Sequence, residues 1–198
     1  MLFRSSPMPM LTIMCRCELH PGLTAPIEVA KMARYPLAAL NQMEQSVFTD
    51  ALGNIFEHTP AIAHQTWSRR PFATVTALHQ AMVTVMQNLP HDQQLALIRA
   101  HPDLGTKAKM ARSSVQEQAS VGLDQLAPAD YQTFQQLNQA YRDKFQFPFI
   151  VAVKEHTQAS ILAAFRQRLT HNAATEQQTA LAEIAKIAGF RLHALIAA

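Results

Sequence analysis

Glycine, cysteine and long apolar runs are all scarce in this 198-residue chain, and each shortage excludes a class of protein. Five glycines, widely spaced, cannot build the glycine-rich loop that cradles phosphates in nucleotide and dinucleotide enzymes. Cys15 and Cys17 are the only cysteines, separated by one residue near the N-terminus. They cannot staple a domain and leave no thiol nucleophile downstream, so they read as reduced thiols of a cytoplasmic protein. No stretch reaches the ~18 apolar residues of a membrane span. The formal charge is only +3, and the Lys and Arg residues are scattered, without a basic stripe or interleaved aromatics, which excludes nucleic acid as the expected partner. Gly-x-Ser-x-Gly, His-Glu-x-x-His and Cys-x-x-Cys are all missing.

What remains is a globular composition, 48% hydrophobic, of a length that suits one domain. Residues 1–33 hold Pro7, Pro9, Pro21 and Pro26 and little periodicity. The apolar run around Met8 to Met14 is short and broken by proline, a poor match to a secretory signal. We expect a disordered extension there, or an upstream start before a body beginning near Met32, and a single helical domain over 34–198.

That body reads as helix throughout. Met43, Val47, Ala51 and Ile55 predict a helix of about four turns. Thr59-Pro60 offers a cap and first-turn proline for a short helix to about Trp67. Val75 to Leu89 marks the next helix, and Asp92 to Ala100 another, with Leu95, Leu97 and Ile98 inward. Ser114 and Glu117 have capping-box spacing and predict a helix start. Pro128 opens a helix carrying Phe134, Asn138, Tyr141 and Phe145 on one side. Phe147 to Val153 is aromatic and β-branched, a short extended segment without a partner strand. Two helices, about Gln158–Leu169 and Glu176–Leu195, close the chain. The expected fold is all-α, a single domain of seven or eight helices with one short extended connector.

Candidate chemistry centres on His101-Pro102-Asp103-Leu104-Gly105. Proline disfavours the α conformation in the preceding residue, so a helix stops at His101. The negative end of that helix favours a protonated ring, and hence a proton donor; the bland alternative is a turn histidine. Ser114 and Glu117 are explained by capping, yet a helix start also suits an anion or carbonyl oxygen. Arg191 shares the apolar stripe of Leu181, Ile184, Ala188 and Leu195, where an arginine must snorkel, pair with an acid or meet an anionic ligand. The Phe149–Val153 segment is either core or a backbone surface for a flat, amide-rich ligand. His91-Asp92, with His58, His64 and His79, raises a metal phosphohydrolase, but the spacing fits no ligand pattern and no metal is expected.

Together, Phe56-Glu57-His58-Thr59-Pro60, Arg70-Pro71-Phe72, Ala100-His101-Pro102-Asp103-Leu104-Gly105, Ser114-Val115-Gln116-Glu117-Gln118 with Gly122-Leu123, Leu137-Asn138 with Tyr141, Lys144 to Ile150 and Arg191-Leu192 resemble, in order and spacing, the 2-oxo-4-hydroxy-4-carboxy-5-ureidoimidazoline (OHCU) decarboxylase family of urate degradation. The likeness runs from about Pro36 to the end. It implies an all-α homodimer, without metal or organic cofactor, that converts OHCU to (S)-allantoin with loss of CO2. It also implies His101 as proton donor, with Glu117 orienting the substrate and Arg191 holding an anionic or carbonyl oxygen. Substrate contacts would come from Pro102, from Ser114, Val115, Gln116, Glu117 and Gln118, and from Phe149, Ile150, Val151, Ala152 and Val153. The family often has glycine where Gln146 stands and serine where Thr59 stands. The remaining alternatives are another cofactor-free ureide lyase or hydrolase, and a non-enzymatic helical adaptor.

Overall fold

The computed structural model describes residues 34–106 and 111–197; the expected extension over 1–33 lies outside the described residues. The body is all-α. Among the described residues there are nine α-helices: α1 (Leu37–Gln42), α2 (Gln45–Leu52), α3 (Pro60–Thr66), α4 (Val75–Gln87), α5 (His91–Arg99), α6 (Arg112–Ala119), α7 (Pro128–Phe145), α8 (Gln158–Arg168) and α9 (Ala173–Leu195). Two short strands, β1 (Tyr35–Pro36) and β2 (Ile196–Ala197), pair in parallel, with Tyr35 opposite Ile196.

Local chemistry explains most boundaries. Thr74 caps α4 by accepting from the Ala77 N–H, and Asn172 caps α9 from Thr175 N–H. Thr157 and Ser160 form a reciprocal capping box on α8, satisfying two N–H groups that helix geometry leaves orphaned. Pro128 opens α7 at its first turn. The 23-residue α9 is the spine: Ala180, Leu181, Ile184, Ala188, Arg191 and Leu192 form its buried stripe, and α4 and α5 both pack on it. A side chain at Gly189 would come within 3.4 Å of the His79 ring, and His79 Nε2 bonds the Ala185 carbonyl at 2.8 Å, so the absent side chain lets α4 approach.

The count exceeds the seven or eight helices expected because α1 was hidden; separately, the four-turn helix expected from Met43 is only the eight-residue α2. The Met43 carbonyl is instead taken by Trp67 Nε1 at 2.9 Å and Arg70 Nη1 at 2.8 Å. After Leu52 the poor helix formers Gly53 and Asn54 let the chain turn, burying Ile55 and Phe56 from a loop. Two expected caps fail as well. Thr59 does not cap α3; its hydroxyl donates to the Glu57 carbonyl at 2.9 Å. Helix α6 begins at Arg112, so Ser114 lies inside it and no capping box forms.

Phe147 to Ala152 runs as a buried irregular connector into a 3-10 turn over Val153–Glu155. Rings explain its depth. Phe149 stacks on Phe165 with centroids 3.8 Å apart, and Tyr141 meets Phe149 edge-on at 5.2 Å. Behind it lies an ion cluster. Arg168 Nη1 donates to the Ile150 carbonyl at 2.6 Å, Arg168 Nε to Glu176 at 2.9 Å, and the Tyr141 hydroxyl bonds the fully buried Glu176. Burial, reinforced by Glu176, pushes the Tyr141 hydroxyl well above its usual titration range.

Candidate active site

The turn after α5 is pinned from three directions. Gly105 sits at φ 65°, a left-handed conformation that suits glycine, and a Cβ there would lie 2.9 Å from Leu126. Its N–H donates to Gln118 Oε1 at 2.9 Å. Asn138 Nδ2 donates to the Leu104 carbonyl at 2.8 Å, and Arg142 Nε pairs with Asp103. The His-Pro-Asp-Leu-Gly run is thus a fixed bracket carrying His101.

His101 is buried, 6% exposed. Its Nδ1 lies 2.9 Å from the Leu97 carbonyl. A carbonyl only accepts, so Nδ1 carries a proton and Nε2 is left for chemistry. Burial pulls the ring's pKa below the usual histidine value; the Leu97 carbonyl and Glu57 oppose this without reversing it. Against the expectation of a ring favoured in its cationic form by the helix end, burial is the largest influence on His101 and favours the neutral imidazole.

Arg191 supplies the second wall. Its Nε and Nη2 grip both oxygens of Glu117 at 2.9 Å. Nη1 donates to Glu57 Oε2 at 2.9 Å and to the Ile55 carbonyl at 3.4 Å, and Nη2 also reaches Ser114 Oγ at 3.2 Å. Ser114 in turn donates to Glu57 Oε2 at 3.0 Å. All five guanidinium N–H groups thus have acceptors. Burial opposes the charge, but the bonds and charges of Glu117 and Glu57 hold the Arg191 pKa above its usual value. Two carboxylates against one guanidinium leave this network with a net negative charge. Every donor of Arg191 is engaged in fixing Glu117 and Glu57, so of the three fates expected for an arginine on this stripe the structure shows pairing with acids.

His101, Ser114, Glu117 and Arg191 open onto one cleft, lined also by Pro102, Leu104, Gln118, Phe149 to Lys154, Ile187 and Phe190. Of the expected substrate-contacting residues, Val115 and Gln116 are not in this lining. Helix α6 can turn only one face inward, and Ser114, Glu117 and Gln118 occupy it at i, i+3 and i+4. Val115 is 44% exposed, and Gln116 faces a neighbouring hollow that shares Glu117, Lys154 and Arg191 with the cleft. Within the connector, the Ile150 carbonyl is held by Arg168 and the Ala152 N–H by Glu183 at 2.8 Å.

Two residues had no role in the sequence reading. Glu57, 2% exposed, stood in the Phe56 to Pro60 run that carries the family resemblance, an acid after the apolar pair Ile55-Phe56, but no role was attached to it. Lys154 lies in the 3-10 turn that follows the connector and had none. Among the described residues, no group of three or more His, Cys, Asp or Glu is placed to hold a metal ion; His91 bonds Gln177 instead. No helix among them is long and apolar enough to cross a membrane.

Against known proteins, residues 41–193 match the family model for OHCU decarboxylase. The chain is 47% identical over 164 residues to the 2-oxo-4-hydroxy-4-carboxy-5-ureidoimidazoline decarboxylase of Halalkalicoccus jeotgali, covering 83% of this chain and 93% of that protein. It is 43% identical to the protein of the same name from Haloferax volcanii, over 81% of this chain and 96% of that one. The crystal structure of (S)-allantoin synthase superposes with a TM-score of 0.68 at 30% identity, covering 81% of this chain and 54% of that one. The chain belongs to the OHCU decarboxylase family.

Proposed function

We propose that this protein decarboxylates OHCU to (S)-allantoin, with His101 delivering the proton that sets the stereocentre. The observation that carries the reading is a buried imidazole, fixed through Nδ1 by the Leu97 carbonyl, in the same cleft as a Glu117 clamped on both oxygens by Arg191.

The chemistry follows from the substrate. Its carboxylate sits on a ring carbon that also bears a hydroxyl, beside the carbon–nitrogen double bond of the ureido-bearing carbon. When the carbon–carboxylate bond breaks, its electron pair passes into that double bond and CO2 leaves. The ring nitrogen takes a proton from solvent, giving an enol. The enol hydroxyl then loses its proton as the ketone forms, and the ureido-bearing carbon gains one. The ring is its own electron sink, so the protein's tasks are positioning and proton handling.

A neutral His101 suits the last step: Nε2 takes the hydroxyl proton, and the imidazolium so formed returns one to a single face of the ring. Glu117, immobilised by Arg191, accepts hydrogen bonds from the ureido N–H groups. Ser114, Gln118 and the connector backbone from Phe149 to Val153 hold the ring plane, with Pro102 and Leu104 supplying apolar walls. The net negative charge around Glu57, Glu117 and Arg191 disfavours a bound carboxylate more than it disfavours neutral CO2, which lowers the barrier. A homodimer in the cytoplasm is the assembly and location we propose from the family likeness; the sedimentation mass tests the former. Turnover of freshly generated OHCU, followed by the optical activity of the allantoin formed, tests the assignment.

A further inference from the structure

We propose that Lys154 is the residue that recognises the substrate's carboxylate and selects anionic ureides for the cleft. The inference rests on the decarboxylase reading of the site and adds a specificity-determining residue to it.

The argument is one of charge. Arg191 is fully engaged by Glu117, Glu57, Ser114 and the Ile55 carbonyl, and burial favours the neutral form of His101. In the cleft lining Glu117 is paired with Arg191, and the buried Glu57 stands behind that guanidinium, so an anion entering finds no free positive charge unless another cation faces it. Lys154 is that cation. It lines the cleft and the hollow beside it, and no carboxylate among the described residues lies within ion-pair distance of it. Its ammonium stands 5.5 Å from the centroid of the Phe190 ring, on the cleft wall supplied by α9.

Its backbone is anchored on both sides. The Ala152 N–H is held by Glu183, and Glu155 pairs with Lys186, which also pairs with Glu183. Glu155, the nearest acid in sequence, is thereby diverted from Lys154. Because Lys154 is exposed, its ammonium remains partly hydrated. It binds a carboxylate weakly enough to steer and select it without trapping the ground state.

The test compares wild type, Lys154→Gln and Lys154→Arg. In Lys154→Gln the KM for OHCU should rise roughly tenfold with kcat unchanged, as expected for a lost charge-assisted contact. The decline of kcat/KM with added salt should flatten. Inhibition by allantoin, which lacks the carboxylate, should be unaltered, and Lys154→Arg should restore the wild-type KM. A KM within twofold of wild type overturns the proposal, as does an allantoin inhibition constant that shifts in step with KM, the mark of a structural role. Wild-type protein that fails to turn over OHCU overturns the decarboxylase reading and this inference together; normal wild-type turnover with an indifferent Lys154→Gln overturns this inference alone.

Discussion

At the scale of single residues, the site is governed by which groups are already satisfied. His101 has spent Nδ1 on Leu97 and keeps Nε2; Arg191 has spent everything. His101→Asn should therefore abolish catalysed turnover while the far-ultraviolet circular dichroism stays helical. The lowered pKa of the ring fixes the sign of the pH response. Catalysis needs the neutral ring, so kcat/KM should hold near neutral pH and fall only below the usual histidine value of about 6.5. Stability follows the same direction. The unfolded chain binds this proton more readily than the folded one, so the contribution of His101 is present above about pH 6.5 and is lost as pH falls through the lower folded value. Denaturant midpoints across that window should show a smaller acid loss in His101→Asn. Glu57→Gln tests the other wall. It weakens the grip on Arg191 and Ser114, and should cost about 2 kcal/mol in urea unfolding with a fall in kcat as Glu117 loosens.

At the scale of elements, the connector from Phe147 to Ala152 is the least regular piece and the most heavily braced. Arg168→Met leaves Glu176 buried without its guanidinium partner and frees the Ile150 carbonyl. A loss of about 3 kcal/mol is expected, with a rise in KM that a purely remote defect would not produce. Gln146 ends α7 at φ 61°, in the left-handed region, which accounts for the glycine common there in the family. Gln146→Gly should raise stability by up to about 1 kcal/mol and leave kcat alone, read from thermal melts and turnover side by side. This scale also marks how far the sequence could be read. Periodicity exposed α4, α7 and α9, because each buries one stripe over several turns, and Arg191 was visible as an intruder on such a stripe. The six-residue α1 and the early end of α2 were not visible, since their boundaries are set by long-range bonds from Trp67 and Arg70 to the Met43 carbonyl. Val115 and Gln116 were taken with their neighbours as one contiguous run, which a helix cannot present to a single cleft. Glu57 and Lys154 escaped because the role of one depends on a partner 134 residues away, and that proposed for the other on its having no carboxylate partner among the described residues.

At the scale of the whole molecule, eight helices among the described residues accompany the long α9, and the candidate cleft lies where α6, the His101 turn, the connector and α9 meet. The chemistry asked of that cleft is a proton relay on a substrate that absorbs its own electron pair, so turnover should survive exhaustive dialysis against a chelator at its full rate. The most direct test of the account is the stereochemistry of the product. Freshly generated OHCU, mixed with the protein and followed by circular dichroism of allantoin, should give a rapid, optically active (S) product, and His101→Asn should give racemate at the spontaneous rate. Racemic allantoin formed at the spontaneous rate by the wild-type protein would contradict the account.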